Sequence, residues 1–246
     1  AMLGDFQASL SASLGRNCGK IELIDSQAAD APDFLRLPPL LTSGRTDTYA
    51  IAQTARRSGY QVVVEGQLVS LDHRLDRSGL SSSRETRHRL DLRLQAAAFD
   101  ALTGVRIGQT SRLISLPIDK STGAAIDAGA AVDLPELTEA INQAGVAMAL
   151  KLCTPIRSHP WQTVVSGIQG EEMVLAARPD SGLKPGDRLA VFDGSRSVTG
   201  GGGERFVLTG FRLGTLRVKS VTDEAVVAAG EEGATFPVGS ILVPVR

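Results

Sequence analysis

The sequence predicts an α+β protein: a mixed helix-and-sheet module followed by an all-strand module. Three observations predict it. Apolar residues recur at helical spacing near the start and again after residue 133. A nearly perfect two-residue alternation from Thr86, continuing to Phe99, returns as a second apolar segment after a turn. Past Pro155 the helical period vanishes and short β-branched runs alternate with Gly, Pro and Asp.

Phe6, Leu10 and Leu14 stand four apart, which puts them on one face of a helix over Asp5–Leu14. After Gly15–Gly19 the run Ile21-Glu22-Leu23-Ile24-Asp25 predicts a brief strand, and the stretch through Pro38-Pro39 predicts loop with room for one helical turn. A second helix is expected over Thr46–Ser58, with Ile51 and Ala55 inward and Gly59 as its stop. Tyr60–Leu71, β-branched at its centre, predicts a strand.

From Thr86, His88, Leu90, Leu92 and Leu94 point one way and Arg87, Arg89, Asp91 and Arg93 the other, the pattern of a strand with one solvated face. Asp100-Ala101-Leu102-Thr103-Gly104 supplies turn chemistry, and Val105–Leu116 returns as the hairpin partner. A third helix is marked by Asp133 as N-cap, Pro135 in the first turn and Glu136 three positions on. Leu137, Ile141, Ala144, Met148 and Leu152 line one face, and the helix is expected to end before Pro155. Beyond it, strands are expected near Thr163–Ile168, Met173–Ala177, Asp187–Phe192, Phe206–Thr209, Gly214–Val221, Glu224–Ala228 and Ser240–Val245, a spacing that suits a small barrel or a sandwich. The expected domains are therefore residues 1–155 and 156–246.

Composition narrows the function classes. With 42% hydrophobic residues in 246, the chain can bury a core without metals or dense disulfides. Lys plus Arg (26) cancels Asp plus Glu (27), so no overall field attracts nucleic acid. The longest apolar stretches fall far short of the roughly 20 residues of a membrane-spanning helix. Ala1-Met2 reads as the remnant of an expression tag, so the absence of an export signal or lipid anchor in front of it says little about compartment.

Catalysis would need a nucleophile, base and orienting group, or metal ligands at productive spacing. The three histidines offer little of this: His73 lies in a polar stretch read as loop, His88 alternates inward on a strand, and His159 precedes Pro160-Trp161. Cys153 and His159 form the one thiol–imidazole pair close in sequence, and a thiol hydrolase using them is the enzymatic alternative. The simpler expectation is no enzyme, no cofactor and no metal. Gly200–Gly203 lacks the Lys-Ser/Thr of a phosphate loop and predicts a hairpin tip. Ser78–Ser83 predicts a solvated loop. Around it, six Arg against four acidic residues over 72–93 offer a face for an acidic partner or simply a solvated strand. Cys18 and Cys153 both fall at predicted helix ends. If those ends coincide, they would bridge in an exported protein, and in a cytosolic one both would stay reduced.

Two groups of motifs carry a family resemblance. Ile51–Gly66, the hairpin Leu90–Leu113 with its Asp-x-x-Thr-Gly turn, and the capped helix 133–153 resemble TolB amino-terminal-like and curli-channel-like α/β domains. Ser181-Gly182-Leu183-Lys184-Pro185-Gly186-Asp187-Arg188-Leu189-Ala190-Val191-Phe192, Leu213–Val221 and Ala225–Val227 resemble the small carboxy-terminal β-domain of flagellar assembly protein T. In that family it follows a TolB-like domain. The resemblance implies a periplasmic, non-enzymatic protein that helps form or stabilise a ring of the flagellar basal body. Its partners would be other basal-body or envelope proteins, with a ring-type homo-oligomer as one form. An outer-membrane lipoprotein or envelope adaptor regulating cell-wall synthesis is the alternative of similar fold.

Overall fold

A computed structural model describes residues 2–19, 21–29, 31–78, 85–130 and 132–245, with the backbone alone at 77, 78 and 85. The loop expected at Ser78–Ser83 therefore lies almost wholly outside the described residues. Helices account for 29% and strands for 38% of the chain, including a closed six-stranded barrel, so the protein is α+β with a small barrel. In order, the elements are helices α1 (Met2–Asn17), α2 (Asp33–Arg36) and α3 (Thr48–Arg57), strands β1 (Val62–Ser78), β2 (Glu85–Asp100) and β3 (Arg106–Ile118), and helices α4 (Lys120–Asp127) and α5 (Pro135–Ser158). Strands β4 (Thr163–Gln169), β5 (Glu172–Leu175), β6 (Arg188–Phe192), β7 (Arg196–Thr199), β8 (Arg205–Leu208), β9 (Arg212–Val221), β10 (Val226–Gly230) and β11 (Ile241–Pro244) follow.

Two compact units result, and they interleave along the chain. One comprises Ala1–Ile24, Val64–Ala98 and Gly108–Ser158; the other comprises Asp25–Val63, Phe99–Ile107 and His159–Arg246. Residues 25–63 and 99–107 thus group with the carboxy-terminal strands, whereas the sequence placed them with the rest of 1–155. A single cut in the chain cannot describe units whose cores are assembled from distant segments.

In the first unit, α1 packs on α5. Phe6, Leu10 and Leu14 are buried on one, Leu137, Ile141, Ala144, Met148 and Leu152 on the other. Gly145 sets how close they come, because a Cβ there would stand 2.7 Å from Ser9 Oγ and 3.1 Å from the Leu10 nitrogen. The Ser9 hydroxyl donates to the Asn142 carbonyl at 2.7 Å across the same contact. The sheet has the order β1-β2-β3. Its central strand buries Leu90, Leu92, Leu94, Ala96 and Ala98, every second residue, as the alternation predicts, but Asp91 and Ala97 on the opposite face are buried as well, so that face is not wholly solvated.

Several sequence expectations are corrected here. Ile21–Asp25 is not a strand: Ile21 N–H turns back to the Gly19 carbonyl and Asp25 Oδ1 accepts from Gln27 N–H. With its polar groups engaged in local turns, the run has no partner strand to extend. Helix α5 runs through Pro155 to Ser158. Proline removes one N–H near the helix end, and its ring sits where Gly108 leaves space, a Cβ at 108 falling 2.8 Å from Pro155 Cγ. The Leu134 carbonyl accepts from Leu137 and Thr138 N–H. Leu134, not Asp133, therefore occupies the capping position, and Pro135 is the first helical residue. Helix α4 and strand β7 were not anticipated.

The second unit is the barrel, with strand order β10-β5-β4-β11-β6-β9 closing on itself through antiparallel pairs. Val165, Met173, Leu189, Val191, Leu216, Val226, Ala228 and Leu242 fill its interior. Register shifts at Val165/Gly167, Val191/Phe192 and Val227/Ala228 bend the strands enough to close. The turn into β6 is read directly from sequence. Gly186 takes φ +97, Asp187 Oδ2 accepts from Lys184 N–H at 2.8 Å, and Gly186 N–H donates to the Val218 carbonyl. Strands β7 and β8 form a separate hairpin with Gly200–Gly203 at its tip, where Gly200 N–H donates to the Glu204 carbonyl. A second small core of Leu102, Val164, Ala176, Val207 and Ile241, with Tyr49 against it, holds α3 and the Asp100–Gly104 turn to the barrel.

Candidate functional site

The cysteines are joined: Cys18 and Cys153 form a disulfide with their Cα atoms 4.8 Å apart, linking the end of α1 to α5 inside the first unit. No free thiolate exists at Cys153, so the Cys153/His159 thiol hydrolase is overturned.

His159 has a different partner. In the second unit its Nε2 lies 3.4 Å from Asp100 Oδ1, both side chains buried at 9% and 6% exposure. The alignment is too poor for a hydrogen bond, and Nε2 is otherwise without an acceptor, so the contact is chiefly electrostatic. Asp100 itself is fully engaged by its own turn: Oδ1 accepts from Leu102 N–H at 2.9 Å and Oδ2 from the Thr103 hydroxyl at 2.5 Å. Burial pushes the carboxyl up, but His159, the Thr103 hydroxyl and the Leu102 N–H outweigh it, and the net shift is below the usual carboxylate range. Gly104, at φ +75, closes the turn through its N–H to the Asp100 carbonyl. Ala101 N–H donates to the Gln61 carbonyl, Gln61 Oε1 accepts from Gln162 N–H, and Val207 N–H donates to the Thr103 carbonyl. The cluster joins four stretches of chain, at 61, 100–104, 159–162 and 207. Its chemistry is that of a corner.

Arg56, Tyr60, Gln61, Asp100, Leu102, Gln162, Thr163 and Ala176 line a recess beside this corner that is too narrow to admit a water molecule. Arg56 Nε and Nη1 and Gln53 Nε2 are buried without an acceptor. Burial pushes the Arg56 guanidinium down, Tyr49 opposing and Arg57 adding to the shift. The recess has no space for a substrate.

The other two histidines meet in the first unit. His73 is on β1 and not in a loop, because the alternation Val69, Leu71, His73, Leu75 continues the strand to Ser78. Its Nε2 lies 3.0 Å from Nδ1 of His88 on β2, and its Nδ1 lies 2.9 Å from Asp127 Oδ2 on α4. Sequence reasoning missed this group, since α4 was not read. The Asp119-x-x-Thr122 cap was the available signal: Asp119 Oδ1 accepts from Thr122 N–H at 2.8 Å.

Two arginines of the Arg-rich stretch are paired within the sheet. Arg74 reaches Asp91 at 3.2 Å, Arg89 reaches Asp76 at 3.6 Å and donates to Ser115 Oγ at 3.1 Å, and Ser115 donates to Asp91. Among the described residues, no group of three or more His, Cys, Asp or Glu could hold a metal ion. Among the described residues, no helix is long and apolar enough to cross a membrane. The chain matches no protein-family model and no curated protein.

Proposed function

We propose that this chain is a non-enzymatic component of the bacterial cell envelope, a periplasmic building block of the flagellar basal body that acts through protein–protein contacts. One observation carries the reading: an α/β unit closed by Cys18–Cys153 precedes a barrel whose β6 enters through the Ser181–Phe192 segment, the order of a TolB-like domain followed by the carboxy-terminal domain of flagellar assembly protein T. The disulfide supports an oxidising compartment. The engagement of Cys153, His159 and Asp100 in structural contacts supports a scaffold over an enzyme.

A surface for such contacts is available on β1, an outer strand of the sheet. Val69 and Leu75 are each 50% exposed, with Leu68 and Leu71 partly exposed beside them. A long outer strand with apolar side chains is a template for a partner strand. In native cells the tagged protein is expected to copurify with basal bodies, and its deletion to remove ring density from cryo-tomograms. Unchanged rings in the deletion strain, or copurification with cell-wall synthesis proteins instead, would refute the assignment. Val69→Lys with Leu75→Lys is expected to lower recovery with basal bodies more than about tenfold. Thermal stability should stay near wild type, because exposed substitutions cost about 0.5 kcal/mol or less. Undiminished recovery of this variant would remove β1 as the contact.

A further inference from the structure

We propose that His73, His88 and Asp127 form a proton-operated latch that holds α4 on the β1–β2 pair and releases it when both imidazoles are protonated.

The anchoring of α4 is unusual for a helix. Its only buried residue is Gly123, so little apolar burial secures it. Gly123 instead lies directly on the imidazoles: a Cβ there would be 2.5 Å from His73 Nε2 and 3.2 Å from His88 Nδ1. The last residue of the helix, Asp127, bonds His73 Nδ1 at 2.9 Å. Middle and end of α4 therefore both rest on one imidazole pair, and the His73 side chain is only 7% exposed.

Proton count decides what the pair can do. The Asp127 carboxylate accepts, so His73 Nδ1 carries a proton; in the neutral pair His73 Nε2 is then an acceptor and His88 Nδ1–H its donor. One added proton leaves the contact in place, with Nε2–H of an imidazolium at His73 donating to the His88 Nδ1 lone pair and Asp127 as counter-ion. A second added proton places N–H against N–H and like charges 3.0 Å apart. The contact then opens. The ring planes are only 12° apart, and the two nitrogens face each other along the bond. A metal ion on that line would need them about 4 Å apart. A shared proton fits the 3.0 Å separation.

The surrounding charges do not supply the same response. The charged residues next in sequence are Asp72 and Arg74 beside His73 and Arg87 and Arg89 beside His88, which strand alternation turns to the opposite face, and Asp119 and Lys120 at the start of α4. Arg74 and Arg89 are paired with Asp91 and Asp76. The Ser121 hydroxyl and the Thr122 N–H and hydroxyl hold the Asp119 carboxyl well below the usual range, so the helix cap stays charged while imidazoles titrate.

The test is amide hydrogen exchange of residues 120–128 in the whole, disulfide-intact chain from pH 8 to 4.5, corrected for intrinsic rates, alongside the histidine side-chain NMR signals. Because the open form takes up one proton more than the closed, opening is expected to rise up to about tenfold per pH unit once the second imidazole titrates. His88→Asn keeps an N–H donor near the Nδ1 position and cannot take a proton, so its α4 protection should stay flat with pH. The proposal fails if α4 protection is constant while both imidazole signals move to their protonated positions. It also fails if protection falls equally in wild type and His88→Asn. Should the variant not fold, the wild-type comparison of exchange with imidazole titration decides alone.

Discussion

Replacing Cys18 by serine, or reducing the wild-type bridge, is expected to destabilise the chain by as much as about 4–5 kcal/mol. The bridge closes a sequence separation of 135 residues, and in the chain-entropy picture a loop of that length restricts the unfolded ensemble strongly. Native geometry adds to the expectation, since both cysteines are buried where α1 meets α5. Urea unfolding with and without a thiol reductant measures it, with Cys18→Ser/Cys153→Ser as the reference that reductant cannot affect. A reductant-induced loss below about 1 kcal/mol would show that the α1–α5 contact carries the unit without the bridge. The effect should be seen first as faster amide exchange in α1 and the second half of α5.

Asp100→Ala is expected to cost about 3 kcal/mol or more, although the site has no catalytic part in the proposed function. Truncation leaves the Leu102 N–H, the Thr103 hydroxyl and His159 facing a buried gap. The pH dependence has a definite sign. A carboxyl held below its ordinary value contributes stability that is fully present above that value and is lost as pH falls through the lowered one. Wild type and Asp100→Asn should therefore differ most near neutrality, and the gap should narrow below about pH 4. Urea titrations at pH 7 and pH 3 check this. A gap that widens in acid would mean the Asp100 charge is a burden to the fold.

Much of this architecture was legible in residue order. The face made by Phe6, Leu10 and Leu14, the alternation from Leu90 to Ala98 and the strand runs after Pro155 each report how one segment meets solvent, and that is a local property. Turn residues were equally readable, because Gly104, Gly186 and the Gly200–Gly203 tip are needed for their own backbone conformations. Helix α4 escaped notice because eight residues containing Gly123 and almost no apolar face give no period to detect. Strand β7 escaped because Arg196–Thr199 is exposed throughout and is specified by its partner β8.

The candidate sites were less legible. His159 was weighed against Cys153 on nearness in sequence, yet the thiol bonds a residue 135 positions away and the imidazole faces Asp100. His73 and His88 carried no spacing signal, since the register between two long strands brought their nitrogens together and a third element added the carboxylate.

Residue order alone determined that helices and a hairpin precede a run of short strands, because amphipathic periodicity and turn chemistry act within a few residues; strand pairing decided that the run closes as a barrel and not as a sandwich. Tertiary structure alone decided that residues 25–63 and 99–107 join the barrel unit, that Asp100 answers His159, and that two imidazoles share a contact beneath α4. The group that a buried polar side chain meets is set by the topology and has no fixed distance along the chain.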